Sequence, residues 1–349
     1  MENDIKVVVA DDSGLMRLII SDILNEEPGI RVINTAVDGK DAVTKVLEQD
    51  VDVLVLDMNM GDYSGTYAVE HILKKKNVPI LILSALGNTN MEPVMDALRL
   101  GAIDYINKPD GNKTKVREIG KDLVRKVKAV AKSNREYINT CKQPIKSNHS
   151  LHTFPKDLKY DILVVGASTG GPPAIEKIIS NLPANFPIPI IIAQHMPANF
   201  VVSFASRLNV LTPLNVVVGS RNERVEAGKV IIASGETNTI LKKNESGKVV
   251  IDFSDKRFTE FNNPSINSLF FSAAEIYGGR IIASVLTGMG KDGADGMEFI
   301  YNKKGYTIAQ NKETSAVYGM PREVAERGVV QRAVSIDEMA GFIVSCLTD

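Results

Sequence analysis

Several charged and polar side chains close apolar runs in the first third of the chain. Asp11 and Asp12 follow IKVVVA (5–10), Asp57 ends VDVLVLD (51–57), Ser84 lies near the end of VPILILSA (78–85), and Lys108 follows DYIN (104–107). Three carboxylates brought within a few ångströms of one another repel strongly unless a cation joins them. An all-oxygen set with open positions suits Mg²⁺, which keeps waters and shares a phosphate. One carboxylate can then act as nucleophile and carry an acyl phosphate, with Lys108 beside it and Ser84 in place to hydrogen-bond the phosphoryl group. Any one of these residues alone reads as a solvated strand-end acid or a surface lysine. Their repeated placement at the ends of apolar runs argues for a phosphoryl-accepting site.

A second candidate lies at 166–173, GASTGGPP, after the apolar run DILVVG. A phosphate-binding P-loop ends in GK[ST], and this stretch has no lysine. A dinucleotide fingerprint needs glycine where Ser168 stands. The segment Gly166-Ala167-Ser168-Thr169-Gly170 instead satisfies G-x-S-x-G on a strand-to-helix turn, which would expose a serine hydroxyl at a sheet rim. Taken alone, a serine there is more often a helix N-cap. A nucleophilic serine needs a base, and the chain has four histidines. His71 lies in the first half and His149 and His152 in a polar middle stretch, which leaves His195, at the end of IPIIIAQ. The glycine-rich turn GMGKDGADG (288–296) offers Asp292 and Asp295 to orient the imidazole. Asp292 is preferred because it is closer to the end of RIIASVLTG; its alternative role is to cap the helix that follows. The resulting order Ser, His, Asp differs from the Ser, Asp, His order of α/β-hydrolases and implies a separate fold.

The elements that must position these residues alternate between two periods. In 1–133, five strand-like runs (5–10, 31–37, 51–57, 78–85, 104–107) alternate with helical stretches such as DAVTKVLEQ and EPVMDALRL. The last stretch, 115–132, puts Val116, Ile119, Leu123, Val127 and Val130 on one face. This predicts a parallel sheet covered on both sides, with ligands beyond the carboxyl ends of its strands. Residues 134–159 are polar, carry prolines and lack apolar periodicity, which reads as a linker; a surface helix continuing from 115–132 competes for its first part. Residues 160–349 predict a second α/β domain. Its strands are DILVVGA, IPIIIAQ, NVVVG, KVIIA, KVVIDF, RIIASVLTG and YTIAQN, and a hairpin turns around NESG between 240 and 253. Helices are expected at 172–181, 198–208, 264–277, 293–303, 321–327 and 336–347.

Bulk properties agree with an ordinary two-domain protein. The chain has 349 residues, 44% hydrophobic and 24% charged, with a net charge of −1. Nothing in that balance points to nucleic acid or an anionic membrane. Cys141 and Cys346 lie far apart without metal-ligand spacing, as expected in a reducing compartment. No signal-peptide pattern opens the sequence, and no apolar run approaches the roughly 20 residues of a membrane helix. The expected location is the cytoplasm, without direct membrane insertion.

VVVADD, VLVLDMNM, ILILSA and DYINKP together make the first half resemble the response-regulator receiver domain. The resemblance implies a flavodoxin-like fold and a histidine kinase as phosphodonor. It makes Asp57 the phosphoacceptor; Asp11, Asp12, Asp57 and the backbone carbonyl of Asn59 the Mg²⁺ ligands; and Ser84, Tyr105 and Lys108 the switch residues. Gly61 departs from the proline usual after the methionine.

GASTGGP, AQHMPANFVVSFASRL, NPSINSLFFSAA, LTGMGKDGADGM and SAVYGMPREV resemble the catalytic domain of chemotaxis protein-glutamate methylesterases, whose architecture is a receiver, a linker and this domain. The resemblance covers nearly the whole chain. It implies a mostly parallel, doubly wound C-terminal domain. It also implies a phosphorylation-activated hydrolase acting on methyl-glutamate, and often glutamine, side chains of chemoreceptor cytoplasmic helices, with no cofactor for the hydrolysis itself. An unphosphorylated receiver covering the esterase cleft is a further implication. By position, Ser168 is the nucleophile, His195 the base and Asp292 its orienting acid, with Thr169 and the Met289 N–H as oxyanion-hole candidates. Asn238, Asn267 and Asn311 depart from the family pattern outside that set. Two other function classes compete: an adaptor whose second domain only binds receptors, and a nucleotide-binding second domain.

Overall fold

Val7, Val8 and Val9 have no exposed surface on either side of the strand they form. An apolar run without alternation requires this: a parallel strand covered on both faces. In the computed structural model, which describes residues 4–85, 91–108, 119–141, 151–256 and 264–348, the chain divides into two compact units, Met1–Gln143 and Pro144–Asp349.

The first unit has strands Ile5–Ala10 (β1), Ile30–Ala36 (β2), Val53–Leu56 (β3), Ile80–Ala85 (β4) and Asp104–Lys108 (β5). They alternate with helices Gly14–Asn25, Gly39–Glu48, Gly65–Leu73, Glu92–Leu100 and Gly120–Ala131. The sheet order is β2-β1-β3-β4-β5, all parallel, the flavodoxin-like arrangement. The strand order reverses between β1 and β3, so a crevice opens beyond their carboxyl ends, where Asp11 and Asp57 follow directly.

The helix expected over 115–132 is present as Gly120–Ala131, with Leu123, Val127 and Val130 buried. Val116 and residues 142–150 of the expected linker, His149 included, lie outside the described residues. Residues 134–159 are not all extended connection. Tyr137–Cys141 forms a short separate helix, and Tyr137 and Ile138 are buried. Ile138 packs on Gly101, where a Cβ would stand 3.0 Å from its Cγ2. Two apolar residues are too few to make a helical period, which is why the sequence reads as linker there.

The second unit has strands Ile162–Ala167 (β6), Ile190–Gln194 (β7), Asn215–Val218 (β8), Lys229–Ile232 (β9), Asn238–Lys243 (β10), Val249–Ser254 (β11), Ile281–Val285 (β12), Tyr306–Gln310 (β13) and Arg332–Val334 (β14). Seven of them form one parallel sheet in the order β14-β13-β12-β6-β7-β9-β8. β10 and β11 pair antiparallel, apart from that sheet. The turn between them, at 244–247, places Gly247 at φ 77°. Ile162, Val164, Ile191, Ala283 and Val285 on one sheet face pack with helices Ile266–Tyr277, Ala294–Asn302 and Met320–Glu326.

β12 ends at Val285, three residues before the expected end. Leu286 N still donates to Gly166 O, but Gly288 N turns away to Val317 O. β14 has only three residues, too short to signal as a strand. The chain leaves β6 first toward β7 and later crosses to β12 on the other side, so this sheet also reverses direction, at β6. No helix among the described residues is long and apolar enough to cross a membrane.

Candidate active site

Ser168 follows β6 directly, and the helix Gly171–Ile179 begins three residues later. That sharp turn depends on its glycines. A Cβ on Gly166 would stand 2.4 Å from Ile266 Cγ2, and one on Gly171 would stand 2.0 Å from Gln194 Oε1. Gly170 adopts φ 76°, a left-handed conformation that side chains disfavour. The glycines therefore provide clearance between packed segments, and Ser168 is the residue they expose.

His195 follows β7 and lies beside Ser168, its N–H donating to Ala167 O. Its Nδ1 is 3.0 Å from Ser168 Oγ and its Nε2 is 2.8 Å from Asp292 Oδ2. The arrangement is self-consistent for one neutral tautomer. Nε2–H donates to the carboxylate, and Nδ1 accepts the serine O–H. The structure thus brings together all three residues of the Ser-His-Asp set. Asp295, the alternative acid, is instead exposed and accepts from Arg327 Nη1 at 2.7 Å.

Asp292 does not cap the helix that follows it; Gly293 occupies that N-cap without a side-chain bond. Its carboxylate sits on the N-terminus of the helix Ile266–Tyr277. Oδ2 accepts from Ile266 N at 2.8 Å, and Oδ1 accepts from Asn267 N at 3.0 Å, Gly293 N at 2.9 Å and Ser265 Oγ at 3.2 Å. Burial works to raise the carboxyl's pKa, but His195 and these N–H donors outweigh it and hold the group below its ordinary value.

Met289 is half-buried and follows Gly288, which packs on Ser168; among the described residues its backbone N–H meets no acceptor. Thr169 is buried, and its carbonyl accepts from Thr287 Oγ1 at 2.9 Å. The Ser168 N–H is engaged by Thr287 O and is not a free donor.

Sequence reasoning missed two buried side chains at this rim. Gln194 Nε2 donates to the carbonyls of both Ser168 (2.9 Å) and His195 (3.0 Å), tying the turns after β6 and β7 together. Gln310 Oε1 accepts from Thr287 N at 2.8 Å, fixing the segment that carries Gly288. Their signal was weak but present: each is a glutamine at the last position of a mostly buried strand.

At the rim of the first unit, one carboxylate oxygen from each of Asp11, Asp12 and Asp57 lies within 4.8 Å of the others. Lys108 Nζ donates to Asp11 Oδ2 and stands 2.8 Å from Asp57 Oδ2. Burial pushes the Asp57 carboxyl up, and Asp11 adds to this, while Lys108 and the Asn59 N–H pull down without cancelling it. Asn59 N lies 3.3 Å from Asp57 Oδ1. Ser84 is buried near the end of β4, next to β3. Tyr105 is buried, with Lys126 Nζ 5.4 Å from its ring centroid, and burial raises its hydroxyl well above the usual range.

Residues 163–343 match the family described as CheB methylesterase. Nearly the full chain matches protein-glutamate methylesterase/protein-glutamine glutaminase 2 of Methanosarcina acetivorans, 38% identical over 97% of this chain and 98% of the relative. This chain belongs to the CheB methylesterase family. The relative of the same name from Carboxydothermus hydrogenoformans is 39% identical, again over 97% of this chain and 98% of its own length. The solved methylesterase catalytic domain of Thermotoga maritima CheB covers 53% of this chain and 98% of its own, at 38% identity and a TM-score of 0.52. Residues 7–119 match the response regulator receiver domain. The chain thus joins a receiver to a CheB methylesterase domain.

Proposed function

We propose that this protein is a phosphorylation-activated serine hydrolase of chemotaxis. It removes methyl groups from methyl-glutamate side chains of chemoreceptor cytoplasmic helices and deamidates glutamines there. The observation that carries the reading is the contact of one imidazole with both Ser168 Oγ (3.0 Å) and Asp292 Oδ2 (2.8 Å). The names of the relatives supply the substrate class.

The mechanism follows from that contact. His195 Nδ1 takes the Ser168 proton as Oγ attacks the ester carbonyl carbon, while Asp292 holds Nε2–H and offsets the imidazolium charge. The Met289 N–H and Thr169 are the candidates to face the developing oxyanion; one such donor typically contributes about 10²–10³ in rate. Collapse of the tetrahedral adduct expels methoxide, which takes the proton from Nδ1 and leaves as methanol. The acyl group stays on Ser168. Water, deprotonated by the same nitrogen, then hydrolyses this acyl-enzyme to glutamate and restores the serine. With a glutamine substrate the leaving group is ammonia. No cofactor enters these steps.

In the receiver, Asp57 is the phosphoacceptor, supplied by a chemotaxis histidine kinase. Asp11, Asp12 and Asp57, with the Asn59 carbonyl, would hold Mg²⁺. Three clustered carboxylates, with Lys108 the one cation ion-paired to them among the described residues, carry a negative charge that suits a divalent cation. Bound there, it would shield the incoming phosphoryl charge. Lys108 balances the phosphoryl group, Ser84 hydrogen-bonds it, and Tyr105 reports it to the surface. The proposed domains are a receiver over 1–133 and a catalytic domain over 160–349, with the connection between them shortened by the docking of Tyr137 and Ile138. Such an enzyme works in the cytoplasm.

Acetyl phosphate with Mg²⁺ should phosphorylate the full chain and raise methanol release from methylated receptor membranes, and should do neither for Asp57→Asn. An adaptor that only binds receptors would release no methanol under either condition.

A further inference from the structure

Outside the seven-stranded sheet, the β10–β11 hairpin contributes a buried side chain to the surroundings of the active site. Asn238, the first residue of β10, is only 4% exposed. Its Oδ1 accepts from Ser265 N at 2.7 Å and its Nδ2 donates to Lys256 O at 2.8 Å. Ser265 is the N-cap of the helix Ile266–Tyr277: its Oγ accepts from Ser268 N at 3.3 Å and also lies 3.2 Å from Asp292 Oδ1. On the other side, Asn267 donates its N–H to Asp292 Oδ1, and its side-chain Oδ1 accepts from Gly296 N at 2.8 Å. The helix N-terminus is thus tied to the hairpin by Asn238 and to the turn carrying Asp292 by Asn267.

We infer that Asn238, Ser265 and Asn267 are positioning residues that hold the Asp292 carboxylate on His195, so that the hairpin acts on the chemistry through this one acid. The inference rests on reading Ser168, His195 and Asp292 as the hydrolytic set. The physical reason is geometric. A carboxylate with two oxygens can rotate about its Cα–Cβ and Cβ–Cγ bonds, and only one orientation gives His195 Nε2 a well-aligned acceptor. Donors on both oxygens remove that freedom. Ser265 is the sole side-chain hydroxyl among the donors to Asp292 given above, and so the one that substitution can delete without altering the backbone. Asn238 fixes Ser265 from behind, and it accepts that residue's N–H, the Ncap donor the helix cannot satisfy itself. Two of the asparagines that depart from the family pattern, Asn238 and Asn267, acquire a structural reason here: each bridges a backbone donor to a neighbouring segment.

The test separates action through Asp292 from general support of the fold. In the full chain, Ser265→Ala should lower kcat for methanol release from methylated receptor membranes about tenfold, with KM within about twofold. In an Asp292→Ala background the same change should have less than about a twofold further effect, because the group it acts through is gone. Ser265→Thr, which keeps the hydroxyl, should restore the rate. Equal losses in both backgrounds, or none in the wild-type background, would overturn the inference. A second readout needs neither turnover nor Ser265→Ala: the proton resonance of the His195 Nε2–H in chain labelled with ¹⁵N-histidine. Asn238→Ala should shift or broaden that resonance, and an unchanged resonance would contradict the role. Were wild type to release no methanol, the hydrolase reading would fall, while the resonance would still decide whether these residues hold Asp292 on His195.

Discussion

Gly288 lies flat against Ser168: a Cβ at Gly288 would stand 2.7 Å from Ser168 Cβ and 2.4 Å from Met320 Sδ. The segment after β12 therefore packs directly against the serine. Gly288→Ala should leave the sheet intact and displace the nucleophile. A shift approaching 1 Å would lower kcat by about 10²-fold. Steady-state methanol release, with circular dichroism to verify the fold, checks this. A folded Gly288→Ala enzyme at wild-type rate would mean that the serine's position is not set by this contact.

Asp292 has two jobs that substitution can separate. Asp292→Asn keeps an oxygen for some of the N–H donors but turns an amide N–H₂ toward His195 or toward the helix N-terminus. In either orientation the carboxylate charge that offsets the imidazolium is gone, and kcat should fall on the order of 10³–10⁴-fold with a smaller change in KM. Asp292→Ala also strands the N–H groups of Ile266, Asn267 and Gly293, each a buried donor whose loss of a partner costs about 1–3 kcal/mol. Urea unfolding should therefore show Asp292→Ala to be less stable than Asp292→Asn. The pH dependence has a definite sign. The folded carboxyl is held below its ordinary value, so its stabilisation is present above the ordinary carboxyl value of 3.8 and is lost as pH falls through the lower folded value. Stability curves of wild type and Asp292→Asn should converge in that acid range and separate above it.

Much of this site could be read from the sequence because its residues sit at strand ends, where parallel sheets collect function, and because His195 has no competitor in the second half of the chain. Asp57, Asp11 and Lys108 were legible for the same positional reason. What the sequence concealed were partnerships between distant segments. That Asp292 rests on the helix starting at Ile266, and not on its own following helix, depends on β12 lying beside β6 and on the approach of Ile266 to Gly166 and Gly293. Gln194 and Gln310 end buried strands, and a polar residue there does not say which backbone group it will meet. Tyr137 and Ile138 look like linker because only the fold provides the surface they dock on.

Gly61 adopts φ 62° with open space around its missing side chain. Proline, the residue usual at this position in receivers, is fixed near −65° and does not fit this backbone. The departure is therefore a different loop conformation after Asp57 and not a neutral exchange. Gly61→Ala should cost about 1 kcal/mol through its φ alone, and Gly61→Pro more, unless the loop refolds. Thermal unfolding of the full chain, followed in the first transition, measures both; a stabilised Gly61→Pro variant would show that the left-handed turn is dispensable.

If Ser168 is the nucleophile of a methyl-ester hydrolase, turnover must depend on its hydroxyl. Methanol release from methylated receptor membranes by the phosphorylated full chain and by its Ser168→Ala variant measures that dependence. Wild type should release methanol, and folded Ser168→Ala should fall by several orders of magnitude to near the uncatalysed rate. Equal release from the two proteins would contradict the account.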